Sequence, residues 1–378
     1  AYEMQRSLVG SEMWIRDSID PALISKFEKQ TGYHVNQETF DSNEAMFTKI
    51  QQGGTSYDLT VPSDYMIEKM KKANLLLPLD KSKLRGMQNM DPRLIDKDFD
   101  RNNKYSIPYF WGTLGIIYND KFVKASEVQH WDQLWNPKFK DSIMLIDSAR
   151  DVFAPALISM GKSVNETNPQ TLALAKAKLD QLSPNVKAVV ADEIKMYMAE
   201  NEAKIAVDWS GEASEMLANN KHLHYVVPRE GSNLWFDNLV IPKTAKHFKA
   251  IYAFLNFMME PKNAAQNAEY VGYATPNAAA KKLLPKSVQN DRQFYPDDET
   301  MKHLEIYSDL PPAKVGLYND LFLEFKMYRR WEGSSLTVRY GQLERLTWRA
   351  FLGVTFSIAS VVLNDKDLTD DLAKNKPW

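Results

Sequence analysis

The most regular hydrophobic pattern in this sequence is a short apolar run that passes directly into a stretch with helical spacing. An early helical stretch is IDPALISKFEKQTGY, in which Leu23, Ile24 and Phe27 would share one face of a helix. Asp20 suits the N-cap and Pro21 the first helical position, because proline has no backbone N–H that would need a partner there. The pattern therefore predicts that a helix begins at Pro21.

The complete arrangement, a strand followed at once by a helix, returns along the chain. The segment YDLTVPSDYMIEKM predicts a short strand and then a helix that begins near Ser63. The segment IMLIDSARDVFAPAL predicts a strand over 143–146 with Asp147 or Ser148 as the helix cap, and KIAVDWSGEASEML repeats the scheme around Trp209. Strands that alternate with helices predict an α/β fold with mostly parallel sheets.

Chemically distinctive side chains follow these strands at equivalent places. Ligands of open α/β sheets bind beyond the carboxyl ends of the strands, where the helices begin. The strand ends here carry acids, aromatic rings and hydroxyls, at Ser63, Tyr65, Ser148, Asp151, Trp209, Trp235 and Asp237. Because segments that are distant in sequence bring these groups to the same kind of position, we expect them to form one site.

The stretch NLWFDNLVIP places a carboxylate in a strand that otherwise has the pattern of a buried one. Strand alternation predicts Trp235 and Asp237 on one face and Phe236 on the other, in the core. Burial of an unpaired charge is unfavourable, so Asp237 should have a partner. That partner is either another group of the protein or a ligand.

Composition and charge exclude several classes of function. The chain has 378 residues, of which 44% are hydrophobic and 25% charged, and this is typical of a globular protein with two or three domains. The formal net charge of -2 provides no basic excess, so we expect no nucleic-acid partner. Cysteine is absent, which excludes disulfides, a thiolate nucleophile and Cys-ligated metals.

The sequence shows no catalytic constellation. The pair HLH at 222–224 could form half of a zinc site, but no nearby acid completes a ligand set, and we favour a solvated strand end. The motifs GxSxG, HExxH, GxGxxG and GxxxxGK[ST] do not occur. We therefore expect no catalytic residues, no metal and no cofactor, and keep an enzyme that acts on an amine as the alternative from another class.

Acids beside aromatic rings suit an organic cation. A protonated amine gains about 0.5–2 kcal/mol from lying over an aromatic face, and it also forms charge-assisted hydrogen bonds to carboxylates. Asp151 and Asp237 would supply the carboxylates and Ser63 a hydroxyl. The aromatic walls would come from Tyr65, Trp209, Trp235 and Tyr273. An acid in the first turn of a helix, such as Asp151, should stay ionised.

Each of these residues also has a purely structural explanation. Trp209 and Trp235 could be core residues, Asp151 an ordinary helix-start acid and Ser63 a helix N-cap. Only their joint placement at strand ends favours a binding site. A binder of another organic cation also fits, whereas an anion binder should carry Arg or Lys at these positions.

Several motifs, taken in order, resemble those of the substrate-binding components of spermidine/putrescine ABC transporters. They are TFDSNEAMFTKIQQGG, YDLTVPSDYMIEKM, LDKSKL, YSIPYFWGTLGIIYN, IDSARDV, EGSNLWFDNLVIP and VGYATPN, and the resemblance covers about residues 19–330. It implies a two-lobe periplasmic-binding-protein fold (type II), with the ligand cleft between the lobes and two chain crossings. It also implies a monomer, periplasmic or anchored at the extracellular surface, that captures spermidine or putrescine and delivers it to a membrane permease.

The resemblance assigns lobes and ligand contacts residue by residue. One lobe would comprise 19–112 plus 237–281, and the other 113–236 plus 282–330. The ligand contacts implied by matched position are Asp17, Ser63, Tyr65, Ser148, Asp151, Trp209, Trp235, Asp237, Tyr273 and Tyr307. The first lobe should supply Ser63, Tyr65, Asp237 and Tyr273, whereas Asp151 and Trp209 should come from the second.

Residues 1–18 and 331–378 do not match the family. No secretory signal or apolar strand is readable before RDSIDP, which keeps Asp17 but has Ser18 where relatives carry Tyr. We expect residues 1–18 to be an artefact that replaces the first strand of the family. Loss of that strand would leave one edge of the sheet uncovered and would weaken ligand binding. The tail begins with WEGSS, which resembles a linker, and its apolar run at 350–363 is short for a membrane span.

Overall fold

The computed structural model of this protein describes residues 3–9, 19–40 and 42–333. The strands of this part of the chain are β1 (Glu3–Val9), β2 (His34–Phe40), β3 (Leu59–Val61), β4 (Leu76–Leu77), β5 (Ser106–Asn119), β6 (Ile143–Ile146), β7 (Val186–Val190), β8 (Ile205–Trp209), β9 (Leu223–Val226), β10 (Ser232–Pro242) and β11 (Leu304–Glu305). Helices follow β2, β3, β6, β7 and β8 directly, so the predicted α/β fold is confirmed. The expectation of mostly parallel sheets was wrong, because β5 and β10 pair antiparallel with β3, β4, β8 and β9 and with each other.

The α-helices lie between the strands and after the last one. They are α1 (Pro21–Thr31), α2 (Asn43–Gln52), α3 (Asp64–Lys72), α4 (Ala149–Ser159), α5 (Pro169–Leu182), α6 (Glu193–Ala199), α7 (Ser210–Asn219), α8 (Phe248–Met259), α9 (Pro261–Val271), α10 (Ala278–Lys281), α11 (Lys286–Gln289), α12 (Asp298–Met301) and α13 (Pro312–Gly333). Short 3-10 turns connect several of the elements.

The first predicted helix begins where the capping pattern places it. Asp20 is the N-cap of α1 and its Oδ1 accepts a hydrogen bond of 2.8 Å from the backbone N–H of Ala22. Leu23, Ile24 and Phe27 are buried in the core, as the helical spacing predicts. The strand predicted at 143–146 is likewise present as β6.

Two long strands connect the two halves of the sheet. The described strands follow the order β2–β1–β3–β10–β5–β8–β6–β7, with β4 and β11 beside β10 and β9 beside β5. Along β5 the partner changes from β10 to β8 between Thr113 and Leu114. This change lies next to the chain crossing predicted after residue 112, although the lobe boundaries themselves stay a prediction.

The expectation that no strand precedes residue 19 was wrong. Residues Glu3–Val9 form β1, which lies parallel to both β2 and β3 and fills the position between them. A strand is held by backbone N–H and C=O groups, so the polar sequence EMQRSLV can form one where two neighbouring strands supply partners. The sheet therefore does not have the uncovered edge that we expected at this place.

The interpretation of WEGSS as a linker was wrong for its first three residues, Trp331 to Gly333, because α13 continues through Gly333. The remainder of the tail, with the apolar run at 350–363, lies outside the described residues. Among the helices of the described chain, none combines the length and apolar character needed to cross a membrane.

Candidate functional site

Asp237 lies in the middle of β10, where the strand is locally irregular. The pairing with β5 shifts register between Asp237 and Asn238, and Asp237 forms an isolated antiparallel bridge with Ser63. Phe236 is fully buried, whereas Trp235 and Asp237 are only partly buried. The predicted alternation is therefore confirmed, with Phe236 in the core and its two neighbours on the other face.

Ser63 directs its hydroxyl to Asp237 rather than to the helix it precedes. It occupies the N-cap position of α3, but its side chain forms no capping hydrogen bond. Its Oγ donates to Asp237 Oδ1 at 3.2 Å and accepts from Asn43 Nδ2 at 3.0 Å. The N-cap interpretation was right about the position of Ser63 and wrong about its bond.

Asp237 has no counter-charge within the described part of the protein. Burial raises the pKa of Asp237 to about 7, and the hydrogen bond from Ser63 lowers it only partly back. None of the Lys, Arg and His side chains among the described residues forms an ion pair with it. A carboxylate at this position is therefore open to a cation supplied from outside.

A second acid, Asp151, lies in the first turn of α4 with two predicted neighbours. Ser148 Oγ donates to Asp151 Oδ2 at 2.6 Å, and the hydroxyl of Tyr307 donates to Oδ1 at 2.9 Å. Burial raises the pKa of Asp151, whereas these bonds and the charge of Arg150 lower it. Only 4% of Asp151 is exposed, so loss of hydration dominates.

Three of the four predicted aromatic residues, Trp209, Trp235 and Tyr273, lie near the two acids. Trp235 and Tyr273 meet edge to face, with ring centroids 5.7 Å apart. Trp209, at the end of β8, is partly buried, and its side chain lies near enough to Asp151 to lower the pKa of this acid. The structure therefore places Trp235 with Tyr273 and Trp209 with Asp151, in two groups of predicted contacts.

Two predicted contacts are not joined to these groups. The hydroxyl of Tyr65 donates to Glu44 at 3.3 Å, and its backbone N–H donates to Asp64, so its described bonds go to neither Asp151 nor Asp237. Asp17 lies outside the described residues.

Two further buried acids, each beside a predicted contact, were missed by the sequence analysis. Asp64 accepts hydrogen bonds from the backbone of Tyr65 and Phe236, and burial raises its pKa to about 8. Burial and the nearby charge of Glu212 raise the pKa of Asp208 well above its usual range. Asp64 and Asp208 each adjoin a predicted contact in sequence, so the same rule about strand ends could have found them.

The histidine pair has an acid partner that the local sequence did not show. His222 Nδ1 and His224 Nε2 hydrogen-bond to separate oxygens of Asp120, at 2.8 and 2.9 Å. Asp120 follows β5 and is far from the pair in sequence, so only the pairing of the strands brings this acid beside the histidines. No group of three or more metal-ligating side chains in the described chain is arranged to hold a metal ion.

An open cavity lies outside the two acid groups. It has a volume of about 780 Å³, and Tyr307 is the predicted contact that lines it. Its other lining residues include both acids and bases, among them Glu68, Arg93 and Lys97. The cavity thus reaches the Asp151 group only through Tyr307, and neither acid lines it.

A family model described as bacterial extracellular solute-binding protein matches residues 22–296. The match covers more than half of the sequence and includes both acids of the site. This chain belongs to that family.

Relatives of this solute-binding protein have names that refer to polyamines. The spermidine/putrescine-binding periplasmic protein of Escherichia coli is 39% identical over 312 residues, which cover 82% of this chain and 89% of the relative. The putrescine-binding periplasmic protein PotF of the same organism is 33% identical, over an alignment that covers 74% of this chain and 81% of PotF.

Solved structures with the same fold carry related names. The spermidine/putrescine ABC transporter substrate-binding protein PotD of Streptococcus pneumoniae has 54% identity and a TM-score of 0.81, covering 87% of this chain and 100% of the other. The TpPotD lipoprotein of Treponema pallidum has 26% identity and a TM-score of 0.75, covering 86% and 99%. The predicted fold of a periplasmic binding protein is thereby confirmed.

Proposed function

We propose that this protein binds a polyamine, spermidine or putrescine, outside the cytoplasm and delivers it to the permease of an ABC transporter. The observation that carries this proposal is Asp237, whose pKa is raised to about 7 and which pairs with no cationic side chain among the described residues. A protonated amine would supply the missing charge and bring this pKa down.

Two acids in separate groups suit a ligand with an amine at each end. The Asp237 group contains Ser63, and the Asp151 group contains Ser148 and Tyr307, so hydroxyls that donate to the acids are present at both. The methylene chain between two ammonium groups needs apolar walls, which aromatic rings provide. Trp209, Trp235 and Tyr273 are the proposed walls, because they lie beside these acids. Tyr65 and Asp17 remain proposed contacts on family position alone.

The names of the relatives support a polyamine over other organic cations, since both curated relatives named above bind putrescine, spermidine or both according to their names. The similar structure from Streptococcus pneumoniae carries the name of an ABC transporter substrate-binding protein. A role as an amine-acting enzyme is accordingly the less supported alternative.

Ligand capture would involve a change in the angle between two lobes. We infer that β5 and β10 act as the connections between them, with the lobe boundaries as predicted from the sequence. The ligand would favour the closed form only through contacts that it makes to both lobes. We further propose that the protein acts as a monomer and that the permease recognises the closed form.

Calorimetric titration of the purified protein with putrescine, spermidine, spermine and glucose tests this proposal. We expect saturable binding of at least one polyamine and no heat of binding from glucose, which carries no charge to pair with Asp237. Absence of binding of every polyamine by the folded protein would contradict the proposed function.

A further inference from the structure

Tyr273 donates its only hydroxyl proton to a carboxylate that the sequence analysis did not include. The hydroxyl lies 2.7 Å from Glu212 Oε1. Burial, and then the negative charge of Glu212, raise the pKa of Tyr273 well above its usual range. The phenol therefore stays protonated at neutral pH, and its proton points to Glu212.

The backbone of α7 is shaped to receive the ring of Tyr273. A Cβ atom at Gly211 would overlap with three carbon atoms of this ring, so the ring lies directly against the glycine. Gly272, which precedes Tyr273, adopts a positive φ of 80° at the end of α9 and lies near Ser214. The position of the ring over α7 thus depends on two glycines, one on each side of the contact.

Glu212 is already neutralised by another side chain of the protein. Its Oε2 forms an ion pair with Lys195 Nζ, and Lys195 also pairs with Glu215 at 2.8 Å. Only 6% of the Glu212 side chain is exposed, compared with 32% of the Glu215 side chain. Glu212 therefore differs from Asp237, because an internal ammonium group satisfies its charge.

We propose that Glu212 is a positioning residue for ligand binding, which holds the hydroxyl proton of Tyr273 so that the phenolic oxygen faces the ligand only as an acceptor. The inference rests on the proposed function, in which Tyr273 is a ligand contact. A phenol has one proton, and once this is donated to Glu212 the remaining lone pairs of the oxygen can accept an ammonium N–H. An ammonium group has donors and no acceptor, so this orientation suits it.

This arrangement also discriminates between ligand groups. A ligand that presents a carbonyl or carboxylate oxygen at this place would meet an oxygen with no free proton, and two acceptors would face each other. A ligand ammonium avoids that conflict. Glu212 would thereby contribute to selectivity for amines without contacting the ligand.

Four variants separate this role from a direct electrostatic one. Glu212→Ala removes the acceptor, whereas Glu212→Gln keeps an acceptor oxygen and removes the charge. Tyr273→Phe removes the hydroxyl itself, and the double variant Glu212→Ala/Tyr273→Phe tests whether the two residues act together. Glu215→Ala is the matched control, because Glu215 also pairs with Lys195, whereas the hydroxyl of Tyr273 donates to Glu212.

Spermidine affinity, measured by calorimetry at pH 8, is the readout. We expect Tyr273→Phe and Glu212→Ala each to weaken binding about 10-fold, which corresponds to the loss of one charge-assisted hydrogen bond. The double variant should be no more than about 3-fold weaker than Tyr273→Phe. Glu212→Gln should recover most of the affinity, and Glu215→Ala should stay within about 2-fold of the unmodified protein.

Three results would overturn the inference. Equal losses in Glu212→Gln and Glu212→Ala would show that the charge of Glu212 acts on the ligand directly. A full 10-fold effect of Glu212→Ala in the Tyr273→Phe background would show that it acts independently of the hydroxyl. The third result is unchanged spermidine affinity both in a folded Glu212→Ala or Glu212→Gln variant and in Tyr273→Phe. It would show that Glu212 has no role in ligand binding.

These outcomes are distinguishable from a failure of the proposed function. If the unmodified protein binds no polyamine, the proposed function fails before any variant is compared. If it binds spermidine and the variants behave as in one of the three results above, only the role of Glu212 is lost. If Glu212→Ala does not fold, the comparison of Glu212→Gln with Tyr273→Phe still tests the role of Glu212. If Glu212 acts through the hydroxyl of Tyr273, then Glu212→Gln should bind spermidine more tightly than Tyr273→Phe.

Discussion

Asp237, a proposed ligand contact, illustrates how a residue suited to binding can oppose the stability of the empty protein. Its carboxyl is partly buried and bonded to the hydroxyl of Ser63, and its raised pKa of about 7 shows that the folded protein disfavours the charged form. Glu212, by contrast, has an internal cation in Lys195. The absence of such a cation among the described residues is what makes Asp237 available to a ligand.

Asp237→Asn should therefore stabilise the ligand-free protein at pH 8. The pKa of Asp237 is about 7 in the folded protein and near 3.8 when unfolded, so the folded state binds the proton more tightly. Stability contributed by this group is present at low pH and is lost as the pH rises through about 7. Removing the charge should raise the free energy of unfolding by about 1–3 kcal/mol at pH 8.

Urea unfolding of the ligand-free protein measures this difference. The gain in Asp237→Asn should shrink as the pH is lowered from 8 to 6 and disappear near pH 4, where the native carboxyl is neutral as well. The control is Asp132→Asn, at an exposed acid that pairs with Lys178. A variant that is less stable than the unmodified protein at pH 8 would show that Asp237 holds the fold together.

The helices contribute to the site mainly through close approach of their first turns. Ser63, Ser148 and Asp151 lie at or just inside the starts of α3 and α4, and Gly211 lies in the first turn of α7. Polar side chains at these places could be located from the sequence, because capping residues and strand ends have recognisable patterns. The hydrogen-bond partners of these side chains could not be predicted from the sequence, because Ser63 and Ser148 donate to acids instead of capping their helices.

Gly211→Ala tests whether the close contact between α7 and Tyr273 matters for binding. The added methyl group would overlap the ring of Tyr273 and displace it, so we expect spermidine to bind about 10-fold more weakly. Gly316→Ala in α13 is the control, because a Cβ atom there meets no neighbour and alanine favours a helix. Equal affinity of Gly211→Ala and the unmodified protein, measured by calorimetry, would show that the ring position is unimportant.

Strand β1 shows the limit of sequence patterns for single elements. Its sequence EMQRSLV has no apolar alternation that would set it apart, yet its backbone pairs with β2 on one side and β3 on the other. Tertiary partners thus override a weak local pattern. Asp120 and the two histidines at the start of β9, His222 and His224, illustrate the same limit, because they approach only through the pairing of β9 with β5.

The architecture as a whole depends on β5 and β10, which belong to both halves of the sheet. Alternating strands and helices were sufficient to predict the α/β class, and the motif resemblance predicted two chain crossings, but neither predicted which side chains would meet across the crossings. The contact between Tyr273 and α7 is one such case. The bridge between Ser63 and Asp237 was not predicted either, but it joins two residues of the same predicted lobe.

If the lobes close around a polyamine, the overall dimensions of the protein should change with ligand. We expect small-angle X-ray scattering to show a smaller radius of gyration with saturating spermidine than without it. Asp237→Asn should require a higher spermidine concentration for the same change, since it binds less tightly. The same radius of gyration with and without bound ligand would argue against a hinge at β5 and β10.

The most direct test of the account is the spermidine affinity of the unmodified protein and of Asp237→Asn at pH 8 and pH 6. Spermidine keeps its primary amines protonated over this range, so a change reports the protein's own groups. We expect the unmodified protein to bind about 10-fold more weakly at pH 6, because Asp237, with its pKa of about 7, is then largely protonated. Asp237→Asn should bind about 100-fold more weakly at pH 8 and should lack this step. Equal affinities of the two proteins, with the same pH dependence, would contradict the assignment of Asp237 as the counter-charge of a bound amine.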